Sequence, residues 1–343
     1  SRKQPRMRLS PNSCAEPKRV LKWLLITRPL ERPLPRELGG IRDMSRIKVV
    51  ADYGDLCGEG PVWDPDTGCL YWTDLEAHRF YRFHQASNKH EIVKQGLEIT
   101  GYCMNRPSGF VIANTRGLWL WDGADALRLI ADQVENTKCR MNDAIADPEG
   151  RFFAGSVFYD PNHEYELGKL VRVDINGTVH VADEGFQLSN GLAFSPDETI
   201  MYFTDSAARR IYAYDYDRRT GDIRNRHVLV RVPDDEGLPD GLTVDAEGFL
   251  WSAQWYGGCV VRYDPEGKVE RRIEFPAKQV SSVAFGGKDL SDIFVTSASK
   301  TWPSPMMPKS YDPVSGNFGG QLYCVNLGVQ GKPDYRADIR SRE

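Results

Sequence analysis

The chain has 343 residues, 41% of them hydrophobic, and a formal net charge of −4, enough for a large buried core in one or two domains. Its longest apolar run, residues 20–26, is broken by Lys22 and falls far short of the roughly 20 residues that span a bilayer. Neither a membrane nor a nucleic acid is expected as a partner. The seven cysteines are scattered, odd in number and never spaced as CxxC, which supports neither a disulfide framework nor a Cys-rich zinc site and fits a reducing cytoplasm.

Taken in chain order, residues 1–43 stand apart. They carry 11 Lys+Arg against 4 Asp+Glu, whereas the remaining 300 residues carry 33 against 44. Six prolines (5, 11, 17, 29, 33, 35) and no sustained period make this head a basic, poorly ordered extension ahead of a single domain over 44–343. An organelle transit peptide, a basic arm for an anionic partner, or residue read from an upstream start before "MSRIKVV" would each look like this.

From Lys48 onward the chain reads as strands and turns, with β-branched and aromatic runs such as "CLYWTDL", "RFFAGSVF", "IMYFTDS" and "FLWSAQW" between Pro, Gly and Asp. One motif recurs in degenerate form, beginning at Glu59, Thr100, Asn142, Asn190, Asp240 and Ser281. Each copy is a short apolar strand, a DPxG-type turn, a strand ending in a small or acidic residue, and a third strand. Six units of about 45 residues predict an all-β, six-bladed propeller. Asp, Pro and Gly are what a type I turn takes, so "DPDTG" and "DPEG" are read as hairpin tips and not calcium loops.

Innermost propeller strands surround a central channel, so residues of equal phase form a ring near one mouth. Here all six carry side-chain oxygen, and Glu59, Asn142, Asn190 and Asp240 are good donors to a hard cation. Solvated caps at the strand entries would use the same residue types, but acids gathered on one axis repel unless a cation sits among them. Arg140 is two residues before Asn142, hence on the same face of an extended strand, and its fork suits polyol hydroxyls or a carboxylate. Asp143 should point away as a structural acceptor, and Asp74 and Asp205, in "WTD" and "FTD", read as turn partners. Two insertions, 157–168 and 300–320, are long enough to cover the channel. They place Tyr165, Glu166, Trp302 and two methionines as candidates to line a substrate site.

The stretches "GEGPVW", "RMNDAIADPEGRFFAG", "SNGLAFS", "PDGLTVDAEGFLW" and "GGQLYCVNLGVQG", in this order, resemble the SMP-30/gluconolactonase/LRE family over about residues 48–330. The resemblance implies a six-bladed propeller with one divalent metal held by Glu59, Asn190 and Asp240. Calcium is the first expectation, and Mg, Mn, Zn and Fe also suit such a site. It further implies substrate contacts from Arg140 and Asn142, and hydrolysis of a small sugar lactone with Asp240 doubling as general base. An aryl esterase or phosphotriesterase of the same fold is the alternative activity. A non-catalytic calcium-binding propeller is the alternative class, and it predicts loss of the ring acids that are present here. No GxSxG, HExxH or GxxxxGK[ST] occurs, and the six histidines avoid the ring phase.

Overall fold

The computed structural model describes residues 46–106, 108–132, 139–158, 167–301 and 304–340. The basic head 1–43 and the candidates Tyr165, Glu166 and Trp302 lie outside them. The described chain forms six four-stranded antiparallel sheets, arranged as the blades of a propeller. Blades 1 to 5 are sequential meanders over residues 58–95, 101–132, 139–186, 189–231 and 238–274. Blade 6 closes the ring, because its outermost strand is the first of the chain, Lys48–Asp52, paired with Gln321–Asn326. Among the described residues no helix is long and apolar enough to cross a membrane.

Burial follows the radius of the ring. The second strands, such as Ile200–Asp205 and Leu250–Trp255, are buried almost end to end instead of alternating, since both faces of each sheet pack against neighbouring blades. The outer strand Lys89–Gln95 is largely exposed and polar. The core is therefore a set of inter-blade seams. Trp251, Val260 and Ile273 of blade 5 meet Phe285, Val295 and Tyr323 of blade 6, and Trp63, Trp72 and Tyr81 of blade 1 meet Phe294 and Leu322 of blade 6.

The Asp of each sampled turn closes it as expected. Asp147 accepts the amides of Glu149 and Arg151, and Asp245 those of Glu247 and Phe249, so these carboxylates serve hairpin tips. The inner strands carry the feature that matters most for function. Pairing slips by a residue between Glu59 and Val62, Met141 and Ala144, Asn190 and Leu192, and Pro239 and Leu242. A bulge re-aims the side chain beside it, and here it recurs at the ring phase.

Candidate active site

Four of the six ring residues, Glu59, Asn142, Asn190 and Asp240, line one cavity of about 280 Å3 at the mouth where the inner strands begin, and Arg140 lines it with them. The bulges turn these side chains inward, and glycines let the strands come close enough to converge. A Cβ on Gly191 would lie 2.5 Å from the carbonyl oxygen of Asp240, and one on Gly101 2.4 Å from that of Asn142, so only glycine fits between adjacent inner strands. The other two ring members turn away. Thr100 gives its hydroxyl to the carbonyl of Ala113 and Ser281 to that of Gly58, because a short hydroxyl reaches the neighbouring backbone before it reaches the axis.

The floor of the cavity is a polar relay. Asn142 donates from Nδ2 to the carbonyl of Ser189 at 2.8 Å and to Oδ1 of Asn190 at 2.7 Å, and Asn190 donates from Nδ2 to the hydroxyl of Ser206 at 2.8 Å. Both amides are thereby oriented, leaving the Asn142 oxygen and one lone pair of the Asn190 oxygen free for a ligand. Burial, and then the charges of Asp240 and Asp143, push the Glu59 carboxyl well above its usual range. Burial and Asp143 do the same to Asp240. Among the described residues neither has a Lys or Arg within ion-pair distance.

Asp143 does leave this cavity, as alternation requires. It faces a smaller axial void of about 60 Å3 below, shared with Lys332 and Asp334, where burial raises its pKa to about 6. Its hydrogen bond is local, to the amide of Ala144, so it ties no second element. Asp74 and Asp205 behave as read. Asp74 accepts the amides of Leu56, Cys57 and Ala77, and Asp205 those of Gln187, Leu188 and Ala208. These bonds fix the rim segments that bring Cys57 and Leu188 to the cavity. Burial raises the Cys57 thiol well above its usual range, making it a neutral wall group and no nucleophile.

The upper wall is what the sequence reading mostly missed. Leu75, Leu238, Trp255 and Tyr256 form it together with Ser304 and Met306 of the second insertion. Only Met306 belongs to the sequence candidates, although Leu75 and Tyr256 share a phase, each following the last residue of a second strand.

With fold and cavity in place, comparison with known proteins is specific. The SMP-30/Gluconolactonase/LRE-like region matches residues 57–299. Pentonolactonase XacC of Haloferax volcanii is 37% identical over 294 residues, covering 86% of this chain and 99% of its own. Regucalcin of Danio rerio is 33% identical, covering 85% and 99%. Among solved structures, a luciferin-regenerating enzyme superposes with TM-score 0.77 at 29% identity, covering 85% of this chain and 99% of that one. The regucalcin of Agrobacterium tumefaciens, described as a calcium-binding protein, superposes with TM-score 0.74 at 28% identity, covering 84% and 96%. Sequence and architecture agree across nearly the whole length of these relatives, and the chain belongs to the SMP-30/gluconolactonase/LRE-like family.

Proposed function

We propose that the chain hydrolyses a small sugar-derived lactone in this cavity, with a divalent cation held by Glu59, Asn190 and Asp240. One observation carries the reading: the half-buried Glu59 carboxylate, the buried Asp240 carboxylate and an oriented amide oxygen converge on one cavity, with no Lys or Arg among the described residues in ion-pair distance of either acid. An oxygen-only donor set with two negative charges suits a hard cation, calcium first. The name pentonolactonase on a relative supports the lactone, and the calcium-binding description of another supports the ion.

When bound, the cation would polarise the lactone carbonyl and stabilise the charge that develops on its oxygen. The chain's own groups do the rest. Asp240 would accept the proton of the attacking water as general base. Arg140 offers a fork to ring hydroxyls or the released carboxylate, and the Asn142 oxygen accepts from a substrate hydroxyl. The apolar upper wall excludes water from the reacting face and would equally accept an aryl group, so an aryl-ester substrate is the second reading.

The test is a pH-indicator assay over a panel of aldonolactones and a p-nitrophenyl ester, in chelator and then with each cation. Calorimetric calcium titration of wild type and Asp240→Ala accompanies it. Cation-dependent lactone turnover that drops at least about a hundredfold in Asp240→Ala, together with lost calcium binding, is expected. Turnover unaffected by chelator, or equal in the variant, would overturn the assignment.

A further inference from the structure

Three segments that flank the cavity meet at one side chain outside it, Arg209. It sits at the end of the turn after Ile200–Asp205, in a left-handed conformation with φ of 54°. That turn begins with Ser206, the residue that holds Asn190. The Arg209 side chain is only 11% exposed. Its Nη1 points at the carbonyl oxygens of Pro233, Glu236 and Gly237 at 2.9–3.0 Å, and its Nη2 donates to the carbonyl of Met306 at 2.8 Å. Asp234 lies 3.7 Å from Nε.

We infer that Arg209 is a positioning residue that sets substrate affinity by clasping the 304–306 segment onto the 233–237 turn. The turn leads directly into Leu238, and the segment supplies Ser304 and Met306, so the clasp fixes three wall residues from two blades at once. The carbonyls of Glu236, Gly237 and Met306 lie in irregular backbone and need donors, that of Pro233 also accepting the Glu236 amide. A planar guanidinium aims donors from two nitrogens at two separated segments, whereas the three hydrogens of an ammonium radiate from one nitrogen. The far side of the loop is held by other groups. Tyr311 meets Tyr256 edge-on at 4.7 Å between ring centroids, and Lys278 and Gln279 bond Asp312, Asn317, Phe318 and Tyr311, so Arg209 holds the 304–306 end of the loop while a separate set of contacts holds the rest.

The kinetic arm of the test rests on the lactone-hydrolase reading; the exchange arm does not. Full-length wild type, Arg209→Ala and Arg209→Lys are compared by hydrogen-exchange mass spectrometry over 233–238 and 304–311 and by Michaelis kinetics on the best lactone. Arg226→Ala, which alters an outer-strand pair with Asp183, is the control. Expected in Arg209→Ala are exchange at least about tenfold faster in both peptides and a KM raised about tenfold with kcat within about threefold of wild type, because the wall binds ground and transition states alike. Arg209→Lys should protect one peptide and not the other. Unchanged exchange in a folded Arg209→Ala, or a fall in kcat at constant KM, would overturn the clasp. If no lactone is turned over by wild type, the exchange result alone decides for or against it.

Discussion

Asp55 shows how one buried carboxylate makes stability depend on pH. It is 2% exposed and accepts hydrogen bonds from the Tyr81 hydroxyl at 2.6 Å and the Trp72 indole at 3.0 Å. Those bonds favour the ionised form, yet burial outweighs them and raises the pKa to about 7. In the unfolded chain the group ionises near its ordinary value of about 3.9. The folded state therefore holds the extra proton between those values, and the contribution of Asp55 to stability is greatest at acid pH and lost as pH rises toward 7. At about 1.4 kcal/mol per pKa unit the swing is a few kcal/mol. Asp55→Asn, which does not titrate, should gain on wild type steadily from pH 4.5 to 7.5 in urea melts, and a stability difference constant across that range would refute the assignment. Asp55 bears no repeat signature, and nothing in "ADYGDLCGEG" sets it apart. The ring residues were legible for the opposite reason, since an unlike polar residue at one fixed phase of a repeat has few structural explanations.

The inner strand is the element on which the site depends, and its phase was readable where its bulges were not. Alternation placed Arg140 and Asn142 on one face, and both do line the cavity. A slip in pairing leaves no mark on composition, so nothing in the sequence foretold that it falls beside the ring residues. The glycines that follow Glu59, Thr100, Asn190 and Asp240 were visible, but not their reasons: Gly60 takes a φ of 55°, Gly241 abuts Ser282, and at Gly101 and Gly191 the next blade's backbone fills the space of a side chain. Gly191→Ala tests this. Its methyl would lie 2.5 Å from both the Asp240 carbonyl oxygen and the Leu242 amide nitrogen, where no flexible side chain can give way. We expect a loss of about 2–3 kcal/mol from overpacking, seen as a Tm several degrees lower by calorimetry, and, on the proposed assignment of Asn190 and Asp240 as cation ligands, a weaker calcium isotherm because the two are pushed apart. A variant as stable as wild type would mean that the inner strands are looser than this geometry implies. The upper wall escaped sequence reading because the residues at its one shared phase, Leu75, Ser206 and Tyr256, are chemically unlike, and Leu238, Ser304 and Met306 come from other parts of the repeat.

At the scale of the whole molecule, six blades packed through seams must be kept from opening at the last seam. The strand Lys48–Asp52 does this on one side by joining blade 6 from the other end of the domain. The far mouth, opposite the cavity, is crossed by residues 330–340, which touch every blade. Ala246 of blade 5 donates its amide to Gln330, and Gly331 donates to Leu290 of blade 6. The Tyr335 hydroxyl donates to Glu198 of blade 4, and Arg336 pairs with Asp64 of blade 1. Ala337 then donates to Met104 of blade 2 and Asp338 to Gly150 of blade 3, while Ala337 and Ile339 are buried in the seam between those two blades. No repeat motif occurs in this segment, which is why the sequence left it undescribed. A strap bonded to all six blades couples their openings, since any seam that parts must break contacts at its neighbours. Truncation after Leu327 should therefore lower Tm by roughly 10 °C and broaden the transition, given apolar side chains worth about 1.5–3 kcal/mol each when fully buried and hydrogen bonds near 1 kcal/mol. The calcium binding proposed for the ring, measured well below that Tm, should persist, because the ring residues lie at the other mouth. An equal Tm would show that the strap is only laid across the blades, and calcium binding lost at low temperature would show that the two mouths are coupled through the axial void that Asp143 shares with Lys332 and Asp334.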